Sequence, residues 1–117
     1  MNKFIFDVDG TLTPSRREIE PDFKNFFSNF CEHNDVYLVT GSDFPKTHEQ
    51  LGEEIINKVK RIYNCSGNDV WEKGKNLRSS NWILPEEQKD WLTEELDKSP
   101  FPLRTGLHIE ERPGMIN

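Results

Sequence analysis

At 117 residues the chain holds one domain at most, or a piece of a larger protein. Its net charge of −6 argues against a nucleic-acid partner, and no basic stripe alternates with aromatics. With 33% apolar and 31% charged residues the core is lean, although eight Phe and three Trp supply bulk. The apolar run over residues 4–6 is cut by Asp7, too short for a signal peptide. Nothing else approaches a membrane span, so no membrane partner is expected. Cys31 falls in a helical pattern and Cys65 at a strand end, which is no disulfide framework. Reduced, buried thiols and a cytoplasmic location are the expectation.

Residues 3–6 (Lys-Phe-Ile-Phe) have the pattern of a short strand buried on both faces, ending at Asp7. A loop with Gly10 and Pro14 follows. A helix opens at Pro21 and Asp22, proline suiting the first turn and the acid the positive end of the dipole. Phe23, Phe26, Phe27 and Phe30 recur at i, i+3, i+4 and i+7, one apolar face for the core, and Asn34 ends the helix. Residues 36–39 (Val-Tyr-Leu-Val) form a second strand that stops at Thr40-Gly41-Ser42. Pro45 starts a second helix with Leu51, Ile55 and Val59 on one side. Residues 61–65 read as a third strand, and residues 70–75 as a hairpin arm turning at Gly74.

Beyond residue 78 the texture changes. Ser79-Ser80-Asn81 is a polar joint, and residues 85–98 form a charged helix with Trp91, Leu92 and Leu96 on a narrow apolar face. Residues 99–102 break it. Residues 107–110 alternate like a half-exposed strand, Arg112-Pro113-Gly114 makes a hairpin turn, and three residues remain for a returning strand.

Strand–helix alternation with short loops means three parallel strands joined by right-handed crossovers, an α/β fold. Ligands of such sheets bind beyond the carboxyl ends of the strands, where Asp7 and the turn Thr40-Gly41-Ser42 both fall. Two carboxylates two residues apart, Asp7 and Asp9, lie on one side of an extended chain and can share a Mg²⁺ ion. One can attack phosphorus and form an aspartyl-phosphate while the other shuttles a proton. Gly10 lets the backbone approach a phosphate, the following amides can donate to it, and Thr40 or Ser42 can add a hydroxyl. A calcium loop fails, because its sixth position is Leu12 and a strand precedes it. His33, His48 and His108 have no ligand spacing and read as structural or solvated.

The stretch Asp7-Val8-Asp9-Gly10-Thr11-Leu12-Thr13 resembles the first motif of the haloacid dehalogenase superfamily of phosphatases and phosphomutases. Three further stretches are similar to its eukaryotic-type phosphomannomutase branch: Pro14-Ser15-Arg16, Gly41-Ser42-Asp43-Phe44-Pro45-Lys46 with Glu49-Gln50-Leu51-Gly52, and Ile109-Glu110-Glu111-Arg112-Pro113-Gly114-Met115-Ile116-Asn117. The resemblance implies a partial Rossmann-like core of three parallel strands with helices over residues 1–78. An incomplete α+β cap then follows over residues 79–117. It further implies Asp7 as nucleophile, Asp9 as general acid/base, and Asp7 with the Asp9 backbone carbonyl as holders of Mg²⁺. Gly10, Thr11, Thr40, Gly41 and Ser42 would bind phosphate, with Arg16 and Arg112 gripping a sugar phosphate or similar small phosphoester.

Two departures keep mutase and hydrolase both open. Thr40 stands where the mutases often carry Gly, and Asn64-Cys65-Ser66-Gly67-Asn68 replaces an acidic turn. The resemblance also implies a chain that ends inside its cap, short of a later Lys and a third acidic motif. A catalytically incomplete fragment that only binds phosphate and metal is therefore a third reading. The same shortfall implies a bare apolar edge at residues 3–6, so self-association through exposed strand edges or the cap is an expectation.

Overall fold

The computed structural model describes residues 2–102, 106 and 108–117. Strands β1 (Lys3–Asp7), β2 (Asp35–Val39) and β3 (Arg61–Asn64) run parallel in that order, as the strand–helix alternation predicts. The hairpin β4 (Asp69–Glu72) and β5 (Lys75–Ser79) adds antiparallel to β3. It turns at Lys73 and Gly74, both at positive φ (50° and 78°), as a tight two-residue hairpin requires.

Helices α1 (Pro21–His33) and α2 (Phe44–Lys58) cover one face of this sheet. Strand alternation sends Val36, Leu38 and Ile62 to that face, where they meet Phe27 and Cys31 of α1 and Leu51, Ile55 and Ile56 of α2. Lys58 ties the two helices together across Ser28 and Glu32. Asp43 caps α2 by accepting from the Lys46 amide at 3.1 Å. Gly52 interrupts α2 at φ 82°, and a Cβ there would fall 2.7 Å from Lys24 Nζ. Trp71 of β4 stacks flat on Phe44 at the start of α2, 3.8 Å between centroids.

Two expectations are corrected at β1. It is not buried on both faces: Ile5 is 72% exposed on the face away from the helices. The Phe stripe of α1 is not all core either. Among the described residues β1 is the last strand on this side, and Phe27 and Phe30 pack on the rings of Phe6 and Phe4. Phe23 and Phe26 stack on each other at the surface.

Residues past 80 form helix α3 (Glu86–Lys98) and a small hairpin, β6 (Glu111–Arg112) and β7 (Met115–Ile116). Its charged pattern leaves α3 with no buried residue. The strand expected over residues 107–110 lies partly outside the described residues, at Leu107, and residues 108–110 are not a strand. Pairing starts instead at Glu111, where the turn Pro113-Gly114 sets the register, and Glu110 and Asn117 exchange two backbone hydrogen bonds of 2.8 Å. Gly114, at φ 69°, seats the hairpin against Asn68 and Ser80, whose carbons a Cβ would approach to 2.7 Å. No helix among the described residues is long and apolar enough to cross a membrane.

Two substitutions separate the layers. Ile55→Ala, at a fully buried position, should lower global stability by ~2–5 kcal/mol, read as a drop in urea midpoint at constant slope. Gly114→Ala should leave that midpoint nearly unchanged. It should abolish hydrogen-exchange protection at the Glu110 and Asn117 amides, because the hairpin can no longer seat.

Candidate active site

The end of β1 is shaped by Val8. Its side chain is fully buried, and its carbonyl accepts from the amides of Thr11, Leu12 and Thr13 at 3.1, 2.9 and 3.2 Å. Gly10, at φ 74°, donates its amide to Thr13 O at 2.8 Å. The chain therefore coils tightly around Val8 and holds Asp7 and Asp9 on either side of it. These bonds also consume the amides that the sequence offered to a phosphate, from Gly10 to Thr13, which is a correction. Thr11 instead donates its hydroxyl to Asp7 Oδ2 at 3.3 Å.

Asp9 is gripped from two sides. Gln50 Nε2 on α2 donates to Asp9 Oδ1 at 2.5 Å, and the Arg16 amide donates to the same oxygen at 3.0 Å. Arg16 takes a left-handed backbone, φ 62°, and its Nη1 donates to Ser42 Oγ at 2.9 Å. Thr40 is buried, and its hydroxyl accepts from the Ser42 amide at 3.1 Å. The hairpin supplies Arg112, which donates from Nη1 to Gly41 O at 2.8 Å and from Nη2 to Glu110 Oε2 at 2.9 Å. Only 6% of the Arg112 side chain is exposed, and its Nε is buried without a partner.

These groups enclose a polar cavity of about 350 Å³, lined by Asp7, Asp9, Arg16, Thr40, Gly41 and Ser42 from the sheet end and by Glu110, Arg112 and Asn117 from the hairpin. Of the residues singled out in the sequence, Gly10 and Thr11 alone do not line it. A larger hollow of about 480 Å³ beside α3 is mostly apolar, with Glu87 as its one charge, and lacks convergent polar groups. Gln50, Glu110 and Asn117 were missed. Their signal lay in the stretches that carry the resemblance, Gln50 in residues 49–52 and Glu110 and Asn117 in residues 109–117, where no role was assigned to them.

Burial works to raise the Asp9 carboxyl. The hydrogen bonds from Gln50 and Arg16, with the charges of Arg16 and Lys46, outweigh it and hold the group below the ordinary carboxylate value. The hydrogen bond from Arg112 likewise holds Glu110 low. Burial pushes the free thiols of Cys31 and Cys65 up to about 11, so both are inert at neutral pH. Among the described residues no group of three or more His, Cys, Asp or Glu gathers to hold a metal ion. The paired carboxylates of Asp7 and Asp9 are the acidic oxygen donors at the sheet end of the cavity.

Residues 23–117 match the family of eukaryotic phosphomannomutases. The chain is 32% identical to the phosphomannomutase of Triticum aestivum, 35% to that of Spinacia oleracea and 36% to that of Drosophila melanogaster. Each alignment covers 97% of this chain and 48% of the relative, so the chain spans about half the length of the curated relatives it matches. Among solved structures it resembles a HAD subclass IIB sugar phosphatase, with TM-score 0.55 and 20% identity over 84% of this chain and 38% of that one. It also resembles a phosphatase of the haloalkanoate (HAD) superfamily from Bacteroides thetaiotaomicron, with TM-score 0.54 and 18% identity over 83% and 36%. These two likenesses bear on the fold, an α/β core of the HAD type.

Because Asp9 is lowered in the folded chain, its contribution to stability is present above its unfolded value and lost as pH falls through the folded one. Gln50→Leu removes the principal hydrogen bond that opposes burial. Carbon-13 NMR of the Asp9 carboxyl should show it titrating at higher pH in the variant, with acid unfolding beginning earlier.

Proposed function

The chain belongs to the eukaryotic phosphomannomutase family, and from that premise we propose that it carries out Mg²⁺-dependent phosphoryl transfer on a phosphorylated sugar through an aspartyl-phosphate at Asp7. The observation that carries this reading is the asymmetric grip on Asp9. Both protein donors fall on Oδ1, which fixes the carboxyl and leaves Oδ2 for proton exchange with a substrate oxygen.

An Asp7 carboxylate oxygen attacks the phosphorus and the P–O bond to the sugar breaks. Asp9 gives a proton to the departing oxygen, then takes one from the acceptor that receives the phosphoryl group from Asp7. A sugar hydroxyl as acceptor makes the reaction a mutase; water makes it a hydrolase. Ser42, oriented by Arg16, and the guanidinium groups of Arg16 and Arg112 bind the phosphate that does not react. Arg112, buried with a free Nε, is suited to a multiply charged oxyanion.

The Asp7 carboxylate and the Asp9 backbone carbonyl, with room for substrate oxygens, fit the donor set of Mg²⁺, a cation that keeps much of its water. Asp7 and Asp9 would hold it, and it would neutralise charge on the transferring phosphoryl oxygens. In this reading residues 1–78 are the catalytic core and residues 79–117 the start of a cap, joined by the Arg112–Gly41 contact. The enzyme works on small cytoplasmic phosphoesters, consistent with its free, buried thiols.

The test is Mg²⁺-dependent release of phosphate from a generic aryl phosphate by this chain. Mannose 1-phosphate with a hexose bisphosphate activator then separates mutase from hydrolase. Asp7→Asn should abolish turnover, Asp9→Asn should lower it ~10²–10⁴-fold, and Arg16→Ala should raise KM ~10-fold or more. No metal-dependent turnover, or equal turnover in Asp7→Asn, rejects catalysis by this chain and leaves the phosphate- and metal-binding reading.

A further inference from the structure

The cavity holds one acid more than the proposed chemistry uses. Asp7 takes the phosphoryl group and Asp9 moves the proton, whereas Glu110, on the hairpin wall, has no part in either step. Three carboxylates against two guanidinium groups leave the lining with net negative charge. A wall shaped only to draw in phosphate would not set a carboxylate beside Arg112, because like charges brought together at a site weaken binding.

The backbone fixes where Glu110 stands. Its N–H and C=O exchange hydrogen bonds of 2.8 Å with Asn117. The two neighbouring acids then part: Glu111 reaches outward to Lys89 at 3.4 Å, while Glu110 lines the cavity. Glu110 Oε2 accepts from Arg112 Nη2 at 2.9 Å, and Arg112 is itself anchored on Gly41 O at 2.8 Å. Glu110 Oε1 has no hydrogen-bond partner among the described residues, and 33% of the side chain is exposed. The bond from Arg112, with the charges of Arg112 and Arg16, holds the carboxyl below its ordinary value. It is therefore ionised at neutral pH and can only accept.

We propose that Glu110 determines the specificity of the cavity by accepting hydroxyl hydrogens from the organic group that carries the phosphate. This rests on the phosphoryl-transfer reading for the phosphate, and goes beyond it in naming the residue that reads the rest of the ligand. Charge decides between the candidate donors. A ligand carboxylate is repelled by Glu110. A ligand ammonium can donate, but it meets Arg112 and Arg16, whose charges act on the same carboxylate. A hydroxyl brings a hydrogen without a charge, and a carboxylate with a free oxygen can take two from neighbouring ring carbons. The site thus favours phosphate esters of polyhydroxylated rings over esters of apolar or acidic groups. An analogue without the hydroxyls leaves the carboxylate unpaired, which makes the discrimination steep.

Titration calorimetry of the 117-residue chain with Mg²⁺ tests it, using two phosphonates whose P–C bond cannot break. One carries a hexose ring; the other, cyclohexylmethylphosphonate, carries a six-membered ring without hydroxyls. The hexose ligand should bind ~10-fold or more tightly, and Glu110→Ala should bring the two affinities together. Glu110→Gln keeps an acceptor for Arg112 and should narrow the preference by less. Hydrogen-exchange protection at the Asn117 amide reports whether the hairpin is still seated, and where Glu110→Ala loses it, Glu110→Gln alone decides. A preference unchanged by substitution overturns the proposal. So does a loss shared equally by both ligands and rescued by Glu110→Gln, which would leave Glu110 only to hold Arg112. Equal binding of both phosphonates by the unaltered chain sinks the proposal and leaves the phosphate reading standing. Binding of neither sinks both.

Discussion

The carbonyl of Val8, taken by three amides at once while its side chain is sealed in the core, is the constraint from which the catalytic end of the sheet is built. An acceptor shared by Thr11, Leu12 and Thr13 fixes how many residues separate the end of β1 from the return of the chain. The buried side chains of Leu12, Thr13 and Ile19 then prevent the loop from sliding. Asp7 and Asp9 flank this anchored residue, and hydrogen bonds from Thr11 to the one and from Gln50 and Arg16 to the other fix their carboxyl groups. Two carboxylates are held on either side of one buried hydrophobic residue, at the end of the strand where a cation can reach both residues.

The turn after β2 is the complementary junction. Thr40 O accepts from Ser66, Gly41 O from Arg112, Ser42 O from Cys65, and Ser42 Oγ from Arg16. Three consecutive residues thus receive the loop after β1, the turn after β3 and the distal hairpin. Arg112 is the contact that matters most energetically. A guanidinium this buried is costly unless paired, and Glu110 together with Gly41 O supplies the pairing. The hairpin is therefore held to the sheet by electrostatics and by the close fit of Gly114, with little apolar area behind it.

Much of this was legible in the sequence, and the reason is locality. The parallel order of β1, β2 and β3 follows from apolar runs separated by helical periods, and the turn at Lys73-Gly74 from its glycine. Asp7, Asp9 and Ser42 follow from their places at strand ends, whereas Arg16 and Arg112 stand out only through the family resemblance, and the structure brings all five to one cavity. What could not be read depends on what lies across space. Whether Ile5 and Phe26 are covered is a property of the far side of β1, on which alternation within β1 is silent. Whether the Gly10–Thr13 amides are free depends on where the Val8 carbonyl ends up. Gln50 sits in α2 like any solvent-facing amide, and only the folded loop delivers Asp9, Thr13 and the Arg17 carbonyl to its Nε2.

The bond from Arg112 to Gly41 joins groups 71 residues apart, and it has a cost in chain entropy that no local contact shares. Closing a loop rises only logarithmically with length, about 0.6 kcal/mol for each doubling, so the span itself is affordable. The penalty is met at a few points, by Arg112 on Gly41 O and by Gly114 fitted against Asn68 and Ser80, rather than being spread over a long seam. An anion that touches both Arg16 and Arg112 would add a further contact between the sheet end and the hairpin. The far wall of the cavity is thus carried by a distant part of the chain, and a ligand held by both arginines would tie the two parts together.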